Sequence, residues 1–248
     1  MAIYKIFLCA GWLIAIQAFA DSKVEKQELI NGVTVQTGKH DSTRMYSGSI
    51  NKVIPYSLKN VTQSILNFQD RCNNSFKERR KFTSKTVNCK YHSDNLVETI
   101  VLKNIKTSGW TKEAGEIDRF LLGRQIYNRG SFGHYELVRV YEGKNNKEQR
   151  TIRIVQTMLE DKEVKKYTKP NFEKDSAFDK TTGSFVLTET GPNETLLTYD
   201  YRSFTDHWVL NKEVSIPQVF SSISKSINDL VKTVEQESII ASRDLASN

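Results

Sequence analysis

Cysteine, proline and histidine are scarce in this chain. Its 248 residues include 3 cysteines, 4 prolines and 4 histidines. The histidines are His40, His92, His134 and His207. None has a cysteine or a second histidine at the spacing of a zinc site. We therefore expect neither a metal ion nor a cofactor.

Recognisable motifs for nucleotides, nucleic acids and catalysis are also missing. Gly123, Gly130 and Gly133 do not form the strand, glycine-rich turn and helix that cradle a pyrophosphate. The 36 basic residues are interspersed with 29 acidic ones, and even the densest cationic run, residues 77–81, contains Glu78. We expect no nucleic-acid partner. The formal net charge of +7 instead favours a solvated surface or contact with an anionic membrane.

Long apolar runs are confined to the first twenty residues, which have the pattern of a secretory signal peptide. Lys5 precedes an apolar run from Ile6 to Ile16, and Ala18-Phe19-Ala20 has the small-x-small form of a cleavage site. The run is shorter than the roughly 20 apolar residues of a spanning helix. The sequence predicts a periplasmic or secreted protein with a signal peptide at 1–20 and a mature chain from Asp21. An uncleaved N-terminal anchor is the alternative.

Two cysteines remain after such processing, Cys72 and Cys89. Because an oxidising compartment favours pairing, we expect a disulfide that closes a loop of about 17 residues and contributes on the order of 3 kcal/mol in the chain-entropy model. Two separate buried thiols are the alternative.

Alternating apolar and polar residues predict an antiparallel sheet of about seven strands in meander order. Residues 21–41 are polar with a short alternation, and we interpret them as an N-terminal arm that precedes a folded unit starting near Ser42. The predicted strands cover residues 44–54, 82–91, 96–105, 117–127, 134–141, 150–159, 184–190 and 195–202. Turn-forming residues separate them, most clearly Gly191-Pro192-Asn193-Glu194.

Helical spacing appears twice. Ser57 can cap a helix whose apolar residues recur from Leu58 to Phe68. A second, amphipathic helix of about 20 residues is predicted after Pro217, with its apolar stripe running from Phe220 to Val234.

Two further segments are polar. The tail from Ser238 is expected to fray. Residues 160–183 are expected to be a long loop with at most one short helix.

This order of elements resembles the START-like superfamily, the helix-grip fold that includes polyketide cyclases and is also called SRPBCC. Residues 49–55 with the helix after them carry the resemblance, together with Tyr199-Asp200-Tyr201 and the approach to the last helix through residues 214–217. A single helix cannot cover both faces of a long sheet, so the sheet is expected to curl around the C-terminal helix. The resemblance implies an α+β helix-grip domain over residues 42–240, followed by a tail at 241–248. It also implies a hydrophobic tunnel for lipids, sterols or similar molecules.

The implied binding site is diffuse and contains no catalytic residue. The C-terminal helix would supply one wall, and strand aromatics part of the other. The expected lining residues are Phe220, Ile223, Ile227, Tyr127, Tyr135, Tyr199 and Tyr201. The same side chains could instead fill a solid core.

Arginines within the predicted strands are also candidate site residues. They are Arg119, Arg124, Arg139 and Arg153. Any of them that pointed inward could bind a carboxylate or phosphate head group, since guanidinium binds such oxyanions with two hydrogen bonds. Exposed strand arginines are the alternative.

Three functions remain open at this point. The first is an exported protein that encloses a hydrophobic or amphipathic small molecule without chemistry. The second is a cyclase-type or hydrolase-type enzyme using Asp206, His207 and a tyrosine, unless that pair simply forms a turn before Trp208. The third is an interaction module of an envelope or secreted assembly, using the basic patch around Arg79.

Overall fold

The structure is a computed structural model that describes residues 23–40, 42–66, 96–106, 116–127, 131–166 and 176–246. Side chains are described in these ranges except at 96–106, 116–127, 131–133 and 239–246. The predicted strand at 82–91 and both Cys72 and Cys89 lie outside the described residues.

The described residues form nine strands and three α-helices. The strands are β1 (Lys23–Ile30), β2 (Val33–His40), β3 (Thr43–Ile54), β4 (Leu96–Lys106), β5 (Glu116–Tyr127), β6 (Ser131–Lys144), β7 (Arg150–Leu159), β8 (Lys180–Gly191) and β9 (Glu194–Thr205). The helices are α1 (Leu58–Leu66), α2 (Asp161–Val164) and α3 (Ile216–Ala246), and a 3₁₀ turn at Glu213–Ser215 leads into α3.

All nine strands belong to one antiparallel sheet, in the order β1-β2-β3-β9-β8-β7-β6-β5-β4. The chain builds β1 to β3 as a meander, crosses to the far edge, and returns strand by strand until β9 pairs with β3. That last ladder runs from Arg44 opposite Thr205 to Ile54 opposite Thr195. The predicted helix-grip α+β architecture, with a curved antiparallel sheet and a long C-terminal helix, is confirmed.

Helix α3 packs against β1, β2, β3 and α1, and α1 also contacts β8 and β9. The buried stripe of α3 is the predicted one and contains Phe220, Ile223, Ile227, Val231 and Val234. Ser57 caps α1, since its hydroxyl accepts a hydrogen bond from the Asn60 amide at 3.4 Å. The two helices are joined where the Ser64 hydroxyl donates to the carbonyl of Val234 at 3.0 Å.

Residues 23–40 form a hairpin rather than the expected arm. β1 and β2 pair around Asn31-Gly32, whose φ angles of 50° and 79° suit the tight turn that an Asn-Gly pair favours. Val33 and Val35 of β2 are fully buried in the core, whereas β1 exposes most of its residues. The segment is polar when both strands are averaged, and this composition did not indicate a hairpin in which one strand is buried.

Two other expectations are corrected at the C-terminal half. β8 begins at Lys180, so the segment interpreted as a loop to residue 183 ends earlier, and it contains the short helix α2. Helix α3 continues to Ala246 instead of fraying from Ser238, which is fully buried. No glycine or proline follows Pro217, so nothing in the backbone chemistry stops the helix earlier.

Candidate functional site

The side of the sheet that faces α3 is called here the inner face. The strand registers place Gly48, Tyr201, Gly183, Gln156 and Val138 in one row across β3, β9, β8, β7 and β6. Directly paired residues project from the same side of a sheet. Gly48 lies under α3, so the whole row belongs to the inner face.

The helix wall is tightly packed at this point. A Cβ atom on Gly48 would lie 2.6 Å from both Ile223 Cγ2 and Ile227 Cδ1. The Phe220 ring meets the Tyr46 ring edge-on, with 6.4 Å between centroids. Phe220, Ile223 and Ile227 therefore pack directly on β3 as core residues. A ligand could touch them only at the edge of this contact between α3 and the sheet.

Polar side chains gather on the inner face beyond the helix, across β6 to β9. We call this set the polar cluster: His134, Glu136, Gln156, Tyr199, Tyr201 and Ser203. His134 Nε2 lies 3.0 Å from Glu136 Oε1, and the two residues are only 8% and 7% exposed. Gln156 and Tyr199 are likewise buried, and Ser203 is fully buried. A set of side chains that can form hydrogen bonds is therefore enclosed within the molecule.

Gly183 lets two members of the polar cluster approach each other. A Cβ atom there would lie 2.9 Å from the Tyr199 hydroxyl and 3.1 Å from Gln156 Oε1. The Tyr199 ring is held against Phe185, with 4.5 Å between ring centroids. The phenol hydroxyl of Tyr199 is thereby directed at the middle of the row, next to the Gln156 amide.

The electrostatics of the cluster keep Tyr201 neutral. The pKa of Tyr201 is raised to about 12, mainly by burial; a hydrogen bond with Ser203 lowers it, and the negative charge of Glu136 raises it. The contribution of Glu136 places its carboxyl group near the Tyr201 phenol. The cluster therefore presents phenol hydroxyls, an amide and a carboxyl group beside an imidazole.

Apolar residues occupy the next rows of the inner face, towards α1. Phe185 pairs with Tyr199 on one side and with Ile154 on the other. Leu187 lies between Leu197 and Ile152 in the row beyond. All five of these apolar residues belong to the buried core. The inner face thus changes from polar at the end near the start of α3 to apolar at the end near α1.

The four expected tyrosines do not form one wall. Tyr199 and Tyr201 lie together on the inner face. Tyr135 is fully buried, but it alternates with His134 and Glu136 along β6, so it projects from the opposite face. Tyr127 is in β5, opposite Ser131, and its side chain lies outside the described part.

Of the four candidate arginines, the two whose side chains are described, Arg139 and Arg153, are not directed inward. Arg139 and Arg153 share the opposite face with Tyr135, because they alternate with inner-face residues of β6 and β7. Arg153 Nε donates to Ser184 Oγ at 3.4 Å on that face. The side chains of Arg119 and Arg124 are not described.

Asp206 and His207 lie in an exposed turn after β9. The Asp206 amide donates to Asp179 Oδ2 at 2.9 Å, and the His207 amide donates to the Thr205 hydroxyl at 3.0 Å. The turn interpretation describes this pair, and the structure does not bring the two side chains to the inner-face tyrosines.

Sequence reasoning missed Glu136 and Gln156 and considered His134 only as a metal ligand. The signal for the first was present, since His134, Glu136, Val138 and Val140 alternate along one predicted strand. Gln156 carries no such signal. Within the described residues, no group of three or more histidine, cysteine, aspartate or glutamate side chains is placed to hold a metal ion. Among the described helices, none combines the length and the apolar character needed to cross a membrane.

Comparisons with known proteins give similarity in structure alone. No family model matches the sequence, and a search of curated proteins gives no match. Human STARD10 has a similar structure, with a TM-score of 0.50 and 12% identity over 92% of this chain and 78% of that one. A STAR-related lipid transfer protein from Xanthomonas axonopodis gives a TM-score of 0.47 and 11% identity, over 88% and 98% of the two chains. The Zhui aromatase/cyclase from Streptomyces sp. R1128 gives 0.47 and 9%, over 78% and 93%. Together with the strand order and the long C-terminal helix, the similarity to STARD10 shows that this chain has the START-like helix-grip fold.

Proposed function

We propose that the protein is an exported carrier that encloses one amphipathic, lipid-like molecule against the inner face without altering it chemically. The START-like fold supports a hydrophobic small molecule as the general class of partner. The α3 side of the sheet would form the enclosure, and the polar cluster would hold the polar end of the ligand.

The observation that carries this proposal is the polar cluster at one end of an otherwise apolar inner face. Ligand sites in proteins are mostly apolar, with a few polar groups that fix the orientation of the bound molecule. A ligand with one polar end and an apolar body matches that distribution. Its body would lie towards Phe185 and Leu187, and its head towards Glu136 and Tyr201.

The chemistry of the cluster favours an uncharged head group that can donate a hydrogen bond, such as a hydroxyl. A negative charge on Glu136 would repel an anionic head group bound beside it. Tyr201 stays neutral and can both donate and accept. Arg44 lies in phase with Gly48 on β3, and its guanidinium is already bound by Glu25 Oε2 at 3.0 Å and the Asn211 carbonyl at 3.1 Å.

Native mass spectrometry of the mature protein, purified under mild conditions from an exporting host, tests the proposal. We expect a stoichiometric complex that releases an apolar molecule on organic extraction. Glu136→Gln and Tyr201→Phe should lower the bound fraction. Asp200→Asn is the matched control, because it makes the same carboxyl-to-amide change on β9 but on the opposite face of the sheet.

Two results would contradict the proposal. One is a wild-type protein that carries no extractable molecule and binds none from a lipid extract. The other is an equal loss of ligand in Glu136→Gln and Asp200→Asn, which would mean that the cluster acts only through general stability.

Export is part of the same proposal and rests on the pattern of residues 1–20. The leader should be removed before Asp21, so that the protein acts in the periplasm or outside the cell. Sequencing the N-terminus of the protein recovered from its own host tests this. A retained Met1 in a membrane-bound protein would support the anchored alternative.

A further inference from the structure

The segment between β9 and α3, residues 206–215, exposes large apolar side chains. We call it the 206–215 loop. Trp208 is 68% exposed, Val214 83% and Val209 37%. Exposing a tryptophan beside two valines is unfavourable in water, and exposed apolar patches commonly mark interaction sites.

The loop is held rigidly by the hairpin side of the sheet. Arg44 Nε donates to the Asn211 carbonyl at 3.1 Å, and the Tyr46 hydroxyl donates to the Leu210 carbonyl at 2.6 Å. Within the loop, the Ser215 hydroxyl donates to the Val209 carbonyl at 2.7 Å. The exposed side chains are therefore presented on a fixed backbone, which lowers the entropy lost when they bind.

The chemistry of the exposed side chains matches the interfacial zone of a lipid bilayer. The Lys212 ammonium lies over the Trp208 ring, 4.5 Å from its centroid. The His207 ring is stacked with the Trp208 ring, with 6.4 Å between centroids and 23° between planes. Tryptophan prefers the head-group level of membranes, and a lysine beside it can reach the phosphates while its alkyl chain stays in apolar contact.

Charge and size also favour a bilayer over a protein partner. Asp206 and Glu213 outweigh Lys212, so the loop itself carries a formal charge of −1. The mature chain still has a net charge of +6, which is +7 less Lys5 of the leader, and this attracts the whole chain to anionic lipids. A stable protein interface usually takes about 20–30 residues a side. Three exposed apolar side chains are too few for that, but enough for shallow insertion.

The loop lies at the polar end of the inner face. It follows Thr205 directly, and Ser203 of the polar cluster is two residues before Thr205. A membrane that bound the loop would therefore lie near the end of the sheet that holds Tyr201 and Glu136.

We propose that Trp208, Val209 and Val214 form a membrane-docking surface that inserts into the interfacial zone of a lipid bilayer. The attraction comes from burial of the indole and the valine side chains, with Lys212 at the level of the phosphates. Docking does not depend on whether the inner face binds a ligand.

Binding of the full mature protein to vesicles tests the docking surface. Vesicles of phosphatidylcholine, with and without phosphatidylglycerol, are sedimented with wild type and with a Trp208→Ala/Val214→Ser variant. We expect the variant to partition about tenfold less strongly, which corresponds to about 1.4 kcal/mol. Leu29→Ala/Val53→Ser is the matched control, because it removes exposed apolar side chains from β1 and from the other end of β3.

A second readout uses brominated lipids, which quench tryptophan fluorescence at the interface. Quenching should be strong in wild type and much weaker in Trp208→Phe, in which Trp110 is the remaining tryptophan of the mature chain. The proposal is overturned if neither type of vesicle binds the wild type, or if the loop variant and the control variant partition equally. A loop that instead binds a protein while ignoring vesicles would overturn it as well. Neither vesicle assay measures binding of a ligand to the inner face. Their result therefore holds even if the carrier proposal fails.

Discussion

At the scale of single residues, Gly48 sets the distance between α3 and the sheet. We expect Gly48→Ala to lower the free energy of unfolding by about 1–3 kcal/mol, the usual effect of overpacking a core. Ile223 Cγ2 is attached to a branched carbon and cannot rotate away freely, so the helix must shift. Chemical denaturation followed by circular dichroism measures the change.

Gly143→Ala is the control for this prediction. Gly143 is also a strand glycine, but a Cβ atom there has nothing within 4 Å. Its replacement should change the stability by less than about 0.5 kcal/mol. Equal effects at the two positions would show that Gly48 does not limit the approach of the helix.

Tyr201 gives a pH-dependent prediction. Its pKa is about 12 in the folded protein, compared with the ordinary value of 10.0. Between these values the unfolded chain loses the proton while the folded chain keeps it, so rising pH favours unfolding. Burial raises the pKa of Tyr46 as well, which acts in the same direction.

The difference in stability between wild type and Tyr201→Phe isolates this group. We expect the difference to be constant below about pH 9 and to move against the wild type as the pH rises from about 10 to about 12. Denaturation curves at a series of pH values measure it. A constant difference over the whole range would mean that Tyr201 ionises as it does in the unfolded chain.

The sequence could show which residues alternate, but it could not show which alternate set faces the helix. Tyr199 and Tyr201 were correctly paired on one face, while Tyr135 was assigned to the same wall although it lies one position out of phase. The correct phase follows from the series of registers that leads from β6 to Gly48 on β3, and the last step of that series, the pairing of β9 with β3, is a long-range property. Local patterns carry no information about it.

At the scale of elements, Arg44 joins the N-terminal hairpin to the 206–215 loop. Its guanidinium is 1% exposed and contacts Glu25, on β1, and the Asn211 carbonyl. We expect Arg44→Met to lower the free energy of unfolding by about 2–4 kcal/mol, because the Asn211 carbonyl loses its buried donor and packing around the loop is lost.

Lys39→Met serves as the comparison for Arg44. Lys39 pairs directly with Arg44 across β2 and β3, but its side chain is exposed. Its replacement should have an effect within about 0.5 kcal/mol. Thermal unfolding of both variants measures the difference, and a mild effect of Arg44→Met would show that the loop is held mainly by Tyr46.

The N-terminal hairpin also shows where element prediction failed. Asn31-Gly32 between alternating residues is a strong hairpin signal, yet the polar composition of the segment suggested an arm. The burial that stabilises β2 comes from α3, nearly two hundred residues later, where the Ser224 hydroxyl donates to the Ile30 carbonyl at 2.8 Å. The other predicted strands within the described ranges had bounds within a few residues of the observed ones, because those segments carry their own periodicity, whereas the C-terminal helix is longer than predicted.

At the scale of the whole molecule, the helix-grip fold was predictable because the order of elements leaves few arrangements. A long amphipathic helix after a meander must cover one face of the sheet. The polar cluster was less predictable, since its members come from β6, β7 and β9 and meet only through the strand registers.

Export leads to a prediction for the two cysteines of the mature chain. If the protein folds in an oxidising compartment, Cys72 and Cys89 should be joined. Mass spectrometry of a tryptic digest, with and without reduction, should find the linked peptides and their release. Free thiols at both positions, in protein taken from its own compartment, would instead support the reading of two separate thiols.

The strand order also has a kinetic consequence. β3 pairs with β9, and Ile54 lies opposite Thr195 in that ladder. β3 is an inner strand of the sheet, but its partner β9 is synthesised much later. Contacts between such distant segments fold slowly, because a long loop must close before any pairing energy is gained. The ladder between β3 and β9 therefore cannot close until most of the chain has been made. If the protein is exported as proposed, the chain would reach the secretion channel with this ladder still unpaired.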